Sequence, residues 1–222
     1  MLESLPMLIL ASNSPRRRQL LSLESWVFQV IPARVDETPL PEETPQEVVL
    51  RLAREKALDV EKIAPDGSMV IAADTTVVAG GQILGKPTDS THAARMLREL
   101  RGGSHQVFTG LAVMDKVHNS IQTDISVTHV FIREYSEAEI QAYIATGDPL
   151  DKAGAYAIQH RVFDPVDHIE GCYANVVGLP LCMLTSLLAS CDVPPVRHIS
   201  ANCHPDRGGR CHIADLILPD AP

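Results

Sequence analysis

A long apolar run, MVIAADTTVVAGGQILGKP from Met69 to Pro87, limits the folds open to this chain. Its β-branched residues predict a strand, and the glycine pair at 80–81 predicts a turn that returns the chain to Lys86. The run carries one carboxylate, Asp74, and a buried strand rarely holds an ionised side chain without a partner or a chemical role. The hairpin would therefore bring an Asp and a Lys together, which suits a phosphate group and its metal.

The segment LILASNSPRRRQLL, from Leu8 to Leu21, predicts a strand, a short polar loop and a helix that begins at Pro15. The N–H groups at a helix start bind anions, and arginine adds a fork for phosphate oxygens. Ser12, Ser14, Arg16 and Arg17 are therefore candidate phosphate contacts. A capped surface helix with solvated arginines explains the same pattern, and spacing alone does not separate the two.

Strand patterns alternate with helix patterns elsewhere, and some strands read as antiparallel pairs. This predicts an α/β fold with a mixed, twisted sheet flanked by helices. A capping box at Thr44 opens a helix expected to run to about residue 63. Its expected buried stripe comprises Val49, Ala53, Val60 and Ile63. Lys56 falls on that stripe, so either its stem reaches water or its ammonium meets an anion in a cleft. We expect Asp151–Gln159 to be a polar loop and strand.

Composition excludes several classes of protein. A chain of 222 residues is long enough for one domain, and a net charge of −9 disfavours a nucleic-acid groove. Five cysteines at irregular spacing disfavour a disulfide framework. No secretory signal pattern is present, and the longest apolar stretch, Val176–Ala189, is too short to span a bilayer. We therefore expect a cytoplasmic protein with no membrane or nucleic-acid partner.

Two carboxylates are candidate metal ligands. Glu37 lies in an acidic loop, and with Asp74 it could hold a hard divalent cation, Mg²⁺ or Mn²⁺, through oxygen. A carboxylate could also act as the base for water that attacks phosphorus. Lys56 and Lys86 would neutralise charge on phosphate oxygens. Each lysine could equally belong to a structural ion pair.

The C-terminal part differs in composition. From residue 191 onward prolines and glycines are frequent, which predicts a loose tail over 191–222. Cys203, His204, Cys211 and His212 resemble part of a zinc pattern, but no C-x-x-C pair is present, so the tail interpretation is preferred.

Seven segments, taken in order, resemble the Maf family of nucleoside triphosphate pyrophosphatases. They are LILASNSPRR, VDETP, LAREKA, AADTTV with ILGKP, GGSHQVFTG, PLDKAGAYAIQ and NVVGLP. The match covers about residues 8–188, so we assign a Maf-like domain to 1–190. The resemblance implies two lobes around a deep cleft, a divalent metal, a nucleoside triphosphate substrate and, in many members, a homodimer.

The resemblance also implies roles for single residues. Asp74 would be the general base, and Ser12, Glu37, Lys56 and Lys86 would line the phosphate and metal site. Arg16, Thr75 and Gln159 would occupy positions linked to substrate choice. The segment that ends in Gln159 resembles the branch acting on dTTP and UTP, because a glutamine amide can donate to and accept from a thymine or uracil edge.

Two other functions stay open at this stage. One is the sister activity on 7-methyl-GTP, and the other is a nucleotide-binding regulator of cell division with little turnover. Two departures from the family pattern bear on substrate preference. His160 follows Gln159 where Gly is usual, and Cys172 stands where an acidic residue is typical.

Overall fold

One mixed sheet forms the centre of the computed structural model, which describes residues 6–24, 26–193 and 203. Its strands are β1 (Met7–Leu10), β2 (Phe28–Val30), β3 (Ser68–Ala79), β4 (Gln82–Leu84), β5 (Ser104–Asp115), β6 (Ser120–Ile132) and β7 (Val166–Glu170). The spatial order is β2-β1-β3-β5-β6-β7, and β4 pairs with the end of β3. β1 is parallel to β2 and β3, whereas the remaining pairs are antiparallel. The predicted mixed α/β sheet is confirmed.

Helices flank the sheet. They are α1 (Pro15–Ser22), α2 (Pro45–Glu61), α3 (Ser90–Leu100), α4 (Glu137–Ala145), α5 (Tyr173–Val177) and α6 (Leu181–Ala189). The capping box predicted at Thr44 is present, with Thr44 and Glu47 satisfying each other's backbone N–H groups. Pro15 and Pro45 each stand in the first helical turn, where a missing N–H costs nothing.

The central strands are buried on both faces, because successive side chains enter different clusters. Leu10 and Ile71 pack in the cluster that includes α1, α5 and α6. Ile9 and Val70 pack on the opposite face, against α2. Burial on both faces explains why these segments read as continuous apolar runs rather than as alternating ones.

The long strands β3, β5 and β6 extend beyond these clusters. Their other ends contribute Val77, Val107 and Val130 to a third cluster, which includes α3 and α4. The sheet is thus covered by different helices at its two ends. The division into two lobes stays a prediction.

Two local expectations were wrong. Ile63 is 69% exposed, because α2 ends before it at Glu61. Asp151–Gln159 contains no strand; two 3-10 turns, Asp148–Asp151 and Ala153–Ala155, occupy its start. Ala155 has a left-handed backbone (φ 60°), which is incompatible with an extended chain. In addition, β7 and α5 were not predicted.

No helix in the described ranges is long and apolar enough to cross a membrane. Of the predicted tail, only residues 191–193 and 203 are described, and Cys203 is buried in the cluster with α1 and α6. His204, Cys211 and His212 lie outside the described residues. Both the loose tail and the zinc alternative therefore stay predictions.

Candidate active site

A cavity of about 410 Å³ opens between the start of α1, the middle of β3 and the segment after α4. It is lined by every site residue put forward from the sequence: Ser12, Arg16, Glu37, Lys56, Asp74, Thr75, Lys86 and Gln159. These residues come from distant parts of the chain, so the fold itself assembles the predicted site.

The cavity carries a local charge opposite to that of the whole chain. Its lining includes five cationic side chains, Arg16, Arg17, Lys56, Lys86 and Lys152, and three acidic ones, Glu37, Asp74 and Asp151. The chain as a whole has a net charge of −9. A positive pocket on an acidic protein selects a compact anion rather than an extended polyanion.

The backbone brings Lys56 to Asp74. Asp74 is paired with Gly110 across β3 and β5. A Cβ at position 110 would overlap the Val49 carbonyl, so glycine allows α2 to pass directly over this point of the sheet. Lys56 lies two helical turns beyond Val49 on the same face of α2. Its ammonium therefore reaches Asp74 from above the sheet.

Lys56 joins the two candidate metal ligands. Its Nζ lies 2.6 Å from Asp74 Oδ1 and 2.5 Å from Glu37 Oε1. Asp74 and Lys56 are buried, whereas the Glu37 side chain is half exposed. The Lys56 ammonium thus meets an anion in the cleft, and the anions are these two carboxylates, so the structural ion pair left open by the sequence is also present. Burial tends to raise the pKa of Glu37, but the hydrogen bond and charge of Lys56 outweigh it and leave that pKa below its usual range.

Arg17, which the sequence placed beside Arg16 in the candidate anion site, makes most of its contacts with the protein itself. Its guanidinium donates to the carbonyls of Ala73 (2.7 Å) and Gly178 (2.9 Å) and to Thr75 Oγ1 (3.1 Å). It therefore ties α1 to β3 and to the turn before α6. Arg17 precedes buried Leu20 and Leu21 by three and four positions, so it shares their helix face, which points into the protein.

Burial lowers the pKa of Arg17, while the charges of Asp74 and Glu37 oppose that change. The group nevertheless stays a cation, because guanidinium is not deprotonated in proteins. Arg17 thus supplies a fixed positive charge beside the two carboxylates.

Thr75 is held by neighbours rather than left to rotate. Its hydroxyl accepts from Arg17 and also bonds the Thr109 hydroxyl at 2.9 Å. Thr109 Oγ1 in turn donates to the carbonyl oxygen of Asn175. Gly178 passes close by with φ 114°, and a Cβ there would crowd both Thr75 and Arg17. This part of the cavity wall is therefore preorganised.

Arg16 points to another side of the cavity. Its Nη1 lies 3.8 Å from Asp151 Oδ2, a loose ion pair between a partly buried arginine and an exposed carboxylate. Ser12 Oγ accepts from the Ser14 N–H at 3.1 Å, and Ser14 caps α1. An ion pair as loose as that between Arg16 and Asp151 costs little to break.

Lys86 and Gln159 are exposed residues of the cavity wall. The Gly154 N–H donates to the Gly85 carbonyl at 3.2 Å, which joins the chain beside Lys86 to the segment that leads to Gln159. Lys152 donates from its ammonium to Asp148 and Asp151, so it forms ion pairs within its own segment of the chain.

Glu37 and Asp74 are suitable ligands for a hard divalent cation, because carboxylate oxygens bind such cations. Oxygens from both converge on one positive centre, the Lys56 ammonium. Among the described residues, no group of three or more His, Cys, Asp or Glu side chains could hold a metal. Mg²⁺ is commonly bound through one or two carboxylates completed by substrate phosphates and water, so two protein ligands are sufficient. The metal site stays a prediction.

Comparisons with known proteins agree on one family. Residues 7–191 match the family described as Maf-like protein. A relative from Geotalea uraniireducens, named dTTP/UTP pyrophosphatase, is 50% identical over 188 residues, covering 85% of this chain and 96% of the relative. Another of the same name, from Pelotomaculum thermopropionicum, is 49% identical over 181 residues, covering 82% of this chain and 94% of the relative. The resemblance drawn from the seven segments is confirmed, and this chain belongs to the Maf-like protein family.

Proposed function

We propose that this protein hydrolyses dTTP and UTP to the monophosphates and pyrophosphate. The observation that carries the proposal is the cluster of Asp74, Lys56 and Glu37 inside a cavity of net positive charge. The two relatives described above bear the name dTTP/UTP pyrophosphatase, which supports the same reaction for this chain.

The cations of the cavity would bind the triphosphate. Lys86 is exposed, so a phosphate entering from solvent would meet its ammonium early. Its positive charge also helps to lower the pKa of Glu37, so it acts on the same part of the cavity. Arg16 would leave its loose contact with Asp151 for a phosphate oxygen. Both contacts would strengthen as negative charge develops on the departing pyrophosphate, which is the condition for catalysis.

Asp74 would act as the general base. A water molecule would add to the α-phosphorus, and the bond from that phosphorus to the bridging oxygen would break. The water proton would pass to Asp74, and pyrophosphate would leave with the electron pair of the broken bond. The fixed position of Asp74 in β3, next to Lys56, keeps the carboxylate aligned for this transfer.

A divalent cation held by Glu37 and Asp74 would add charge neutralisation on the phosphate oxygens. Lys56 contacts both carboxylates and would keep them oriented toward the same point of the cavity. Arg17 supports the same wall through the Ala73 carbonyl, one residue before Asp74.

Gln159 would supply base selectivity. Its amide can donate to a carbonyl and accept from an N–H, and thymine and uracil present both groups side by side. A cytosine edge presents a different order of donors and acceptors, so we expect dTTP and UTP to exceed CTP as substrates. Thr75, immobilised by Arg17 and Thr109, would limit where the nucleotide can lie.

The testing experiment is pyrophosphate release from a panel of triphosphates: dTTP, UTP, CTP, GTP and 7-methyl-GTP. Each is assayed with Mg²⁺, with Mn²⁺ and with a chelator. Metal-dependent release from dTTP and UTP is expected. A preference for 7-methyl-GTP would keep the mechanism and overturn the selectivity, whereas orthophosphate without pyrophosphate would refute the mechanism.

Asp74→Asn separates an enzyme from a nucleotide-binding regulator. An amide cannot take the proton from water, so turnover should fall by about 10³-fold or more. Asn has the same shape as Asp, so dTTP binding should survive. Asp124→Asn is a matched control, because Asp124 lies in β6, outside the cavity lining. Unchanged turnover in Asp74→Asn would refute the assignment of the base.

A further inference from the structure

Two backbone hydrogen bonds shape the chain around Gln159 and His160. The His160 N–H donates to the Ala157 carbonyl at 3.1 Å, and the Asp164 N–H donates to the His160 carbonyl at 2.7 Å. His160 thus lies at the junction of two consecutive turns, directly beside the residue proposed to read the base. His160 itself is not part of the cavity lining.

The His160 ring closes the second turn. Its Nδ1 accepts from the Phe163 N–H at 2.9 Å. A backbone N–H can only donate, so Nδ1 carries no proton and the neutral ring holds its proton on Nε2. The ring also meets Tyr143 edge-on, with centroids 4.6 Å apart. The side chain therefore makes a directional bond to the turn and a packing contact with Tyr143, and it also interacts electrostatically with Asp148.

Both ends of this segment rest on the same support. Tyr143 stacks on Phe163 with centroids 4.3 Å apart, and its hydroxyl accepts from the Ala157 N–H at 3.1 Å. The same hydroxyl donates to Asp148 at 2.8 Å. Tyr143 thus anchors the chain two residues before Gln159, and His160 anchors it one residue after.

A further clamp holds the far end of the turn. Arg133 donates to the carbonyls of Phe163 (2.6 Å) and Asp164 (2.7 Å). With Phe163 fixed in this way, its N–H is a stationary donor for the His160 ring. Ala157, Ile158 and Gln159 all line the cavity, and Gln159 is the exposed one of the three.

We propose that His160 is a specificity-determining positioning residue, whose Nδ1 bond to the Phe163 N–H fixes the backbone that presents the Gln159 amide to a pyrimidine. This inference rests on the proposed function. The His160 bond would affect recognition of the base. It would not affect the chemistry at Asp74, which lies on β3.

Two substitutions separate the bond from the packing. His160→Asn retains an acceptor that can reach an N–H three residues on, but loses the ring. His160→Phe retains a ring against Tyr143 but loses the acceptor. The kinetic constants kcat and KM are measured for dTTP, UTP and CTP in both variants, and again in a Gln159→Ala background. Thermal unfolding confirms that each variant folds, and His160→Ala replaces His160→Phe if the latter does not.

We expect His160→Phe to raise KM for dTTP and UTP by roughly three- to tenfold, the loss typical of one hydrogen bond, with kcat unchanged. His160→Asn should stay within about twofold of the wild type. In the Gln159→Ala background neither substitution should matter further. Equal loss in both variants, a fall in kcat, or an effect that persists without Gln159 would overturn the inference. Wild-type protein that releases no pyrophosphate would instead refute the proposed function, before any variant is compared.

Discussion

Replacement of Lys56 by Met removes the positive charge that lies between Asp74 and Glu37. Their oxygens are no more than about 5.1 Å apart, since each is within 2.6 Å of the same nitrogen. At that distance two negative charges repel by about 3 kcal/mol at an effective dielectric of about 20, and by about 1 kcal/mol in water. Because Glu37 is half exposed, we expect a loss in unfolding free energy of about 2 kcal/mol without metal at neutral pH.

The penalty should depend on pH. A carboxyl group whose pKa is lowered on folding contributes stability above its unfolded pKa, and this is lost as the pH falls through the folded value. Glu37 is such a group because of Lys56. The difference between wild type and Lys56→Met should therefore be fully present at about pH 7 and should shrink as the pH falls below about 4.3, the usual pKa of a glutamate.

Urea denaturation with a chelator present measures this effect. Lys62→Met is the matched control. Lys62 caps the same helix, but its side chain is 69% exposed and its ion pair with Asp59 is weak, at 3.8 Å. The control should change stability by less than about 0.5 kcal/mol. If Lys56→Met unfolds at the same urea concentration as Lys62→Met at about pH 7, the argument for a bridging ammonium is wrong.

Three further substitutions test other parts of the account by urea denaturation. Arg17→Lys should cost about 2 kcal/mol, because one ammonium cannot serve the acceptors shared by the guanidinium, whereas exposed Arg18→Lys should be neutral. Gly110→Ala should cost about 1–3 kcal/mol through overlap with the backbone of α2, whereas Gly103→Ala has ordinary space. Burial raises the pKa of Glu24 to about 7, so wild-type stability from this group falls as the pH rises from about 4.5 to about 7. Glu24→Gln should remove that pH dependence and raise the free energy of unfolding by on the order of 2 kcal/mol at about pH 8. If the stability of both proteins depends on pH in the same way, this expectation is wrong.

Sequence reasoning located this site well where a residue's type conflicted with its surroundings. Asp74 in an apolar strand and Lys56 on an apolar helix stripe are both costly unless paired, and the structure pairs them with each other. The conflict itself was the signal.

Other features depend on backbone geometry or on distant contacts, which local patterns do not encode. Arg16 and Arg17 are adjacent and chemically identical, yet only Arg17 meets the carbonyls of Ala73 and Gly178. The strand expected after Asp151 fails because Ala155 adopts a left-handed conformation that no composition rule assigns to alanine. The support beneath Gln159 likewise depends on aromatic contacts across many residues.

Hydrolysis of dTTP in ¹⁸O-labelled water, followed by mass spectrometry of the products, tests the central claim most directly. Attack of water on the α-phosphorus places one ¹⁸O in the thymidine monophosphate and none in the pyrophosphate. Label in pyrophosphate or in orthophosphate would show attack at another phosphorus and would contradict the role assigned to Asp74.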